Sequence, residues 1–142
     1  MTGNIETVVT TLYRLLGQRG FAAMLEYTQQ DTREYAGQAV GVICLRGQEA
    51  ERQVFSPSQS KFYLEADTDI RLRLFGVRGN YPDYDDLMDS AQKLFYAICR
   101  DDNLVTVQAK LGEAVPNKEL SRLEVDLDLR VRTEYSWGDG NV

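Results

Sequence analysis

Histidine is absent from this chain of 142 residues, and with it the commonest general base and the commonest zinc ligand of proteins. A Ser-His-Asp or Cys-His catalytic site therefore cannot be built from its residues alone. Carboxylates are plentiful, but no pattern marks two of them as a buried acid–base pair. We predict that the chain is not an enzyme, and we assign it no catalytic residue and no cofactor.

Only two cysteines are present, Cys44 and Cys99. Each lies in an apolar run with no second cysteine and no histidine close by. The pattern therefore predicts two small buried residues in a reducing cytosol. A disulfide between them is the alternative, because the sequence does not fix the distance that separates them.

We expect neither a targeting segment nor a membrane span in this chain, and positive charge is not in excess. Residues 1–6 contain no basic region followed by an apolar run, so we expect no signal peptide. No window approaches the roughly 20 apolar residues that a membrane-spanning helix requires. A net charge of -6 argues against general nucleic-acid binding and against binding to anionic membranes.

Internal repeats, low-complexity tracts and linkers are missing as well. The sequence therefore predicts one domain over residues 1–142, with a polar, flexible tail at 138–142. The glycine pairs at residues 17 and 20 and at residues 76 and 79 match neither a dinucleotide-binding nor a P-loop pattern.

A group of aspartates opens the second predicted helix, namely Asp83, Asp85, Asp86 and Asp89. A metal site is one interpretation of such a group, but the ligand spacing and the glycine of a calcium loop are missing. Capping and interaction with the helix dipole explain the same residues. We assign no metal ligand.

The most informative stretch covers residues 121–137. Its apolar residues fall on every second position from Leu123 to Val131, and charged residues fill the positions between them. Because side chains alternate between the two faces of a strand, the pattern predicts a strand with one apolar and one charged face. The sheet that contains it has one face against a core and one face open to water or to a partner.

This strand is too long to stay inside one compact domain. Seventeen extended residues at about 3.3 Å each would span roughly 55 Å, whereas a compact domain of this chain length has a diameter of about 37 Å. The strand must therefore bend or break, for example near Thr133, or project from the domain and dock on a neighbouring subunit. The sequence leaves both alternatives open.

Two amphipathic helices are predicted, at residues 5–19 and 83–101. The first has a single apolar stripe, a cap at Asn4 or Thr2, and Gly20 where a left-handed residue ends a helix. The stripe of the second helix consists of Tyr84, Leu87, Met88, Ala91, Leu94, Phe95, Ile98 and Cys99.

The other periodic segments predict strands at 21–27, 38–46, 61–65, 70–78 and 104–111. Turns are expected at 47–52 and 67–69, and loops at 28–37, 53–60 and 112–120. In the strand at 104–111, Val105, Val107, Ala109 and Leu111 share one face. In the strand at 70–78, Arg71 and Arg73 alternate with apolar residues, and pairing of the two strands would set them across from Glu124, Asp126 or Asp128.

The order of elements resembles that of the tail terminator, or tail completion, proteins of long-tailed bacteriophages and their prophage relatives. Residues 5–16, 69–80, 87–98 and 121–137 carry the resemblance. It implies an α+β fold in which two helices pack on one face of a mostly antiparallel sheet. It also implies a homo-oligomeric ring, usually of six subunits, that caps the tail tube and joins it to the head connector.

The partners implied by the resemblance are further copies of the chain, tail-tube proteins and head-connector proteins. The expected locations are the cytoplasm of the bacterial host during assembly and the virion tail. A ring requires interfaces between two different patches. We predict that residues 130–137, with the segments 47–60 and 112–120, supply one patch, with Tyr135 and Trp137 as anchors. The predicted interface residues are Arg71, Arg73, Arg130, Arg132, Tyr135 and Trp137.

Alternatives of two other kinds are consistent with the sequence. A head–tail adaptor or minor capsid protein would share the composition, and only the binding partner would separate it from a terminator. A small-ligand-binding or enzymatic α+β domain would need a deep pocket with convergent polar groups. In either tail role, Trp137 could instead cap the core of its own domain.

Overall fold

The computed structural model describes residues 4–26, 37–56, 61–79 and 83–138, and of 51–56, 61–63 and 135–138 it describes the backbone only. Two helices and six strands follow one another in these ranges. They are α1 (Ile5–Gln18), β1 (Phe21–Leu25), β2 (Ala39–Ser56), β3 (Lys61–Phe75), α2 (Tyr84–Arg100), β4 (Val105–Leu111), β5 (Val115–Asn117) and β6 (Arg122–Gly138).

Both helices form where their apolar stripes predict them. The side chain of Asn4 caps α1 by accepting a hydrogen bond of 3.0 Å from the Thr7 amide. Gly20 follows the helix with a φ of 84°, a left-handed conformation that favours glycine. Each helix buries one stripe: Val8, Thr11, Leu12, Leu15 and Leu16 in α1, and Leu87, Ala91, Leu94 and Ile98 in α2.

The six strands form one sheet in the order β1-β2-β3-β6-β4, with β5 paired to β6. Only β1 and β2 run parallel, and every other pair is antiparallel. The buried stripes of both helices pack in one cluster with the apolar face of β3 and β6. The predicted α+β fold, with both helices on one face of a mostly antiparallel sheet, is therefore confirmed.

The opposite face of the sheet has a small apolar cluster of its own at the β1 edge, formed by Met24, Val40, Val42, Cys44 and Phe75. This cluster explains why the β2 sequence is apolar on both faces. Burial and the neighbouring Glu26 raise the pKa of the Cys44 thiol to about 11, which keeps it protonated and unreactive.

β6 runs without interruption from the core to its far end. It pairs with β3 in one register from Glu124 opposite Phe75 to Gly138 opposite Lys61. The register shifts lie in other strands, at residue 46 and residue 51 of β2, which pairs with β3, and at residue 107 of β4, which pairs with β6. The strand therefore has no break near Thr133. That residue is buried, and its hydroxyl donates a hydrogen bond of 3.0 Å to the Ala66 carbonyl.

Two predicted turns are wrong. Residues 67–69 continue β3, because Asp67 and Thr68 are both buried and both pair with β6. Residues 47–52 belong to β2, which accommodates its extra residues as bulges. In both places the local preference of Gly, Asp and Thr for turns is overridden by strand pairing, with β2 and β6 at 67–69 and with β3 at 47–52.

Several boundaries and placements are corrected as well. β3 ends at Phe75 instead of continuing to residue 78, and the predicted loop at 112–120 contains β5. Cys99 is exposed, because it lies one residue beyond the buried stripe of α2, and both cysteines are free. Val107 is 48% exposed, because the bulge turns it away from the core.

Three further predictions fall partly or wholly outside the described residues. The predicted loop at 28–37 is described only at residue 37. Of the predicted loop at 53–60, residues 53–56 instead form the end of β2. Of the predicted tail, residue 138 instead belongs to β6.

Candidate interface on the sheet

The sheet face that points away from the helices carries a lattice of charged side chains along β3 and β6. This charged face consists of Asp67, Asp69, Arg71, Arg73, Glu124, Asp126, Asp128, Arg130 and Arg132. Along β3 two acids precede two arginines, and along β6 three acids precede two arginines. Because the strands are antiparallel, each residue of β3 from Asp67 to Arg73 on this face lies opposite a residue of the other sign.

Ion pairs join these opposite residues directly. Arg71 Nε lies 2.7 Å from Asp128 Oδ1, and Arg132 Nε lies 3.1 Å from Asp67 Oδ1. Arg130 holds both carboxylate oxygens of Asp69, at 2.9 and 3.2 Å. Hydrogen bonding to these carboxylates raises the pKa of Arg71 and of Arg130 above its ordinary value. Exposed pairs such as Arg71–Asp128 and Arg130–Asp69 contribute only about 0.2–1 kcal/mol each, so they fix register more than they add stability.

One acid of the lattice, Asp126, is not hydrogen-bonded by the arginine that lies opposite it. Asp126 lies opposite Arg73 in register, but Arg73 donates both of its hydrogen bonds, at 3.0 and 3.1 Å, to Glu124. The Asn117 amide also donates to Glu124, at 3.0 Å. Asp126 keeps only Arg71 Nη1 at 4.0 Å, and its Oδ1 is buried with no hydrogen-bond partner among the described residues.

The two carboxyls consequently titrate in opposite directions. Burial, together with the contact with Glu124, raises the pKa of Asp126 to about 6. Burial acts in the same direction on Glu124, but the hydrogen bonds from Arg73 and Asn117 outweigh it and lower the pKa of Glu124. Near neutral pH the folded protein therefore holds two adjacent negative charges of which only one is well compensated.

Replacing Asp126 by asparagine is expected to stabilise the protein at pH 7–8, by less than about 1 kcal/mol because the side chain is partly exposed. Its folded-state pKa of about 6 lies above the ordinary 3.8, so ionised Asp126 opposes folding at high pH, and this cost disappears as the pH falls below the ordinary value. Thermal unfolding from pH 4 to pH 8 should show a flatter profile for Asp126→Asn. Asp128→Asn, which removes the partner of Arg71, should lower stability instead, and equal profiles for Asp126→Asn and wild type would contradict the assignment.

A shallow groove of about 470 Å³ crosses the charged face beside β4. Its charged lining comprises four cations and two acids: Arg46, Arg71, Lys110, Arg130, Asp69 and Asp128. Asp128 and Asp69 are already bound by Arg71 and Arg130. The groove is therefore a positive site on a chain whose net charge is -6.

Beyond the core, β2, β3 and β6 continue together as a three-stranded arm, which comprises residues 52–56, 61–65 and 134–138. It extends five residues, or about 16 Å, past the paired residues Ala66 and Thr133. β1 accompanies β2 only as far as Ile43, and β4 accompanies β6 only as far as Arg132. Within the described ranges, no strand pairs with either outer edge of the arm.

The predicted interface residues fall in two adjoining places. Arg71, Arg73, Arg130 and Arg132 come together on the charged face, and Tyr135 and Trp137 lie on the β6 edge of the arm. The described side chains of β6 end at Glu134. The register sets Trp137 opposite Phe62, and Phe62 opposite Phe55. Sequence analysis did not identify Phe55 and Phe62 as part of this region, because Phe55 lay in a predicted loop. Extending the alternating strand pattern through the predicted turns would have placed both residues in paired strands.

Within the described part of the chain, no group of three or more Cys, Asp or Glu side chains is arranged to hold a metal ion. Neither described helix is long and apolar enough to cross a membrane.

Comparison with sequence-family models gives no match, and neither does comparison with curated proteins. Among solved structures, the fold is similar to the sheath/tube terminator of an extracellular contractile injection system, PVC, determined by cryo-EM in its extended state. The TM-score is 0.52 and the identity is 13%, and the alignment covers 100% of this chain and 60% of that one. The chain therefore shares a terminator-like fold, and it spans about three fifths of the length of that protein.

Proposed function

We propose that this chain is a structural protein of a phage-type tail, a terminator that assembles with copies of itself into a ring at the end of the tail tube. The observation that carries the proposal is the similarity of its fold, over its whole length, to a sheath/tube terminator. The element order of the sequence supports the same role independently. In that role its partners are tail proteins on one side of the ring and a head connector on the other.

The sheet supports this proposal by offering contact surfaces on a rigid framework. Its charged face is open on the side away from the helices, and the arm extends the same three strands past the core. A closed ring needs a heterologous interface, in which one patch of each subunit meets a different patch of the next. We assign one patch to the arm, together with the segment 47–60. The segment 112–120 is not part of this patch, because β5 pairs with residues 122–124 of β6, at the end of the sheet opposite the arm.

Aromatic residues supply the anchors of this patch. Tyr135 and Trp137 lie on an edge of the arm that no described strand covers. Aromatic side chains dominate the energetics of protein interfaces, because they bury a large area at a low entropic cost. By alternation along β6, Arg130 and Arg132 occupy the face opposite to positions 135 and 137, so the charged face would form a separate polar contact surface beside the anchors.

The double substitution Tyr135→Ala, Trp137→Ala tests the assignment. Each anchor of an interface contributes about 2 kcal/mol or more, so losing both should raise the concentration needed for assembly by at least about a hundredfold. Native mass spectrometry over a concentration series measures this change. Tyr96→Ala is the matched control, since Tyr96 is an aromatic residue of α2 that is 59% exposed and lies outside the arm.

The outcomes separate the ring from the position of its interface. A wild-type chain that assembles, with a double variant that does not, supports both parts of the proposal. A double variant that assembles as well as wild type shows that the arm is not the interface. Binding of tail-tube protein or head-connector protein to the assembled chain would then distinguish a terminator from a head–tail adaptor, which would bind the connector alone.

A further inference from the structure

Opposite charges lie on opposite sides of the sheet. The groove on the charged face presents an excess of cations, while the first two turns of α2, on the helix side, present Asp83, Asp85, Asp86 and Asp89. We call residues 83–89 the aspartate turn. Patches on opposite sides of a subunit cannot meet within it, but they can meet between successive subunits.

The cations of the groove are only partly neutralised. Lys110 is exposed, and it makes no ion pair with a described residue although it lies opposite Asp128 in register. Arg46 reaches Glu26 at 3.6 Å and remains 43% exposed. Arg71 and Arg130 hold the two acids of the groove. An acidic group that entered the groove would therefore meet two cations without displacing an existing ion pair.

The aspartate turn is negative and poorly compensated. Of its four acids, only Asp89 makes an ion pair with a described residue, with Lys93 Nζ at 2.8 Å, although Arg19 lines the same cavity as Asp83 and Asp86. Asp83 precedes the helix without capping it by a side-chain hydrogen bond. Burial raises the pKa of Asp83, and its contact with Asp86 adds to that rise, as expected where carboxylates crowd together. The helix dipole stabilises these charges but leaves them exposed to a partner.

We infer that the aspartate turn of one copy docks in the charged-face groove of the next copy. This inference rests on the proposed self-assembly and names a pair of different patches, the groove and the aspartate turn, of the kind that a ring requires. Charge complementarity selects this occupant, because the groove has an excess of cations, of which Lys110 has no ion pair with a described residue, and the turn has an excess of acids. Since the two patches differ, each contact leaves one groove and one turn free for further subunits, and the contacts can repeat around a ring. Such contacts act mainly on specificity and on the rate of association.

Two single charge reversals and their mixture test the contact. Lys110→Glu makes the groove more negative and Asp85→Lys weakens the acidic turn, so each variant alone should need at least about a tenfold higher concentration to assemble. Sedimentation velocity over a concentration series measures this shift. In an equimolar mixture, the groove of Lys110→Glu can bind the turn of Asp85→Lys. The native groove of Asp85→Lys can bind the native turn of Lys110→Glu. The mixture, and the double variant Lys110→Glu, Asp85→Lys, should therefore recover assembly.

Matched controls separate this contact from the general effect of charge. Glu6→Lys reverses an acid in the first turn of α1, and Arg100→Glu reverses an exposed cation at the end of α2. Both should assemble like wild type. Circular dichroism on every variant establishes that it is folded, and raising the salt concentration should weaken wild-type assembly, because exposed charges are screened.

Each outcome supports or contradicts one proposal. A wild-type chain that stays monomeric at every concentration overturns the proposed self-assembly. A wild-type chain that assembles, with single variants that also assemble, leaves the ring in place and overturns the docking of turn and groove. Single variants that fail, and whose mixture fails too, also overturn it, because the two patches then contact other surfaces.

Discussion

Replacing Arg122 by alanine is expected to lower the free energy of unfolding by about 3 kcal/mol. The side chain is fully buried at the start of β6, and its Nη1 donates hydrogen bonds of 2.7 Å to the Gln38 carbonyl and 2.6 Å to the Gly76 carbonyl. Hydrogen bonds from a charged donor contribute about 1.5–3 kcal/mol each, and the truncated variant leaves both carbonyls without this donor. The arginine thus ties the bases of β2, β3 and β6 together at the end of the sheet opposite the arm.

Two such hydrogen bonds would together contribute about 3–6 kcal/mol. The expected loss stays near the lower limit of this sum because the charge itself is costly to bury. Burial, and the nearby Arg78 guanidinium, lower the pKa of Arg122. For a chain of this size, a loss of about 3 kcal/mol corresponds to a fall in melting temperature of roughly 10 °C.

Thermal and urea unfolding measure the effect of Arg122→Ala, with Arg78→Ala as the control. Arg78 is an exposed arginine close by, so its removal should change stability by no more than about 0.5 kcal/mol. Arg122→Lys keeps the charge but not the guanidinium geometry and should fall between wild type and alanine. A loss below about 1 kcal/mol for Arg122→Ala would show that the two carbonyls find other donors, and that the arginine does not hold the strands together.

Arg122 also shows where sequence reasoning reaches its limit. It occupies a charged position in the alternation of β6, so the pattern placed it with the exposed charges of that strand. Its burial depends on the Gln38 and Gly76 carbonyls, which lie far away in sequence and belong to the ends of two other strands. Alternation identifies the face of a residue, but it does not reveal whether other segments cover the end of that face.

On the sheet, features that follow from a local repeat of apolar residues could be predicted, whereas features that depend on segments distant in sequence could not. The apolar residues of β6 and the stripes of both helices repeat over several turns or pairs, so periodicity alone identified the core. The lattice of ion pairs followed once β3 and β6 were assumed to pair. The residues Asp67–Asp69 were misassigned because their turn preference is local, whereas the pairs that hold them extended are separated by more than 60 residues.

The candidate interface was predictable in its arginines and only partly in its surroundings. Arg71, Arg73, Arg130 and Arg132 were identified because alternation sets them on the face opposite the core. The groove was not foreseen, since it forms only when β4 lies beside β6 and brings Lys110 next to Asp128. The length of the β6 pattern made a projecting strand one of two predicted alternatives. The three-stranded structure of the arm could not be predicted, because it depends on β2, which carries bulges where turns were expected.

The replacement of Leu127 by alanine is expected to cost about 2–5 kcal/mol, because it opens a cavity in the middle of the core. Leu127 is fully buried, and the register sets it between Leu72 and Leu111, with Ile43 beyond Leu72. Each of four neighbouring strands therefore places an apolar residue at this level of the sheet, on the face that packs against the helices. Val115→Ala, at a valine of β5 that is 56% exposed, is the control and should cost no more than about 0.5 kcal/mol.

Leu127→Met should retain most of the stability, because it conserves volume and loses less than about 1.5 kcal/mol. The flanking residues Asp126 and Asp128 face the other side of the sheet, so a folded Leu127→Ala chain should keep the charged face and assemble like wild type. Chemical unfolding and sedimentation on the same samples separate the two effects. A variant that is stable but no longer assembles would mean that core and charged face are coupled, which contradicts a rigid sheet as the carrier of the interface.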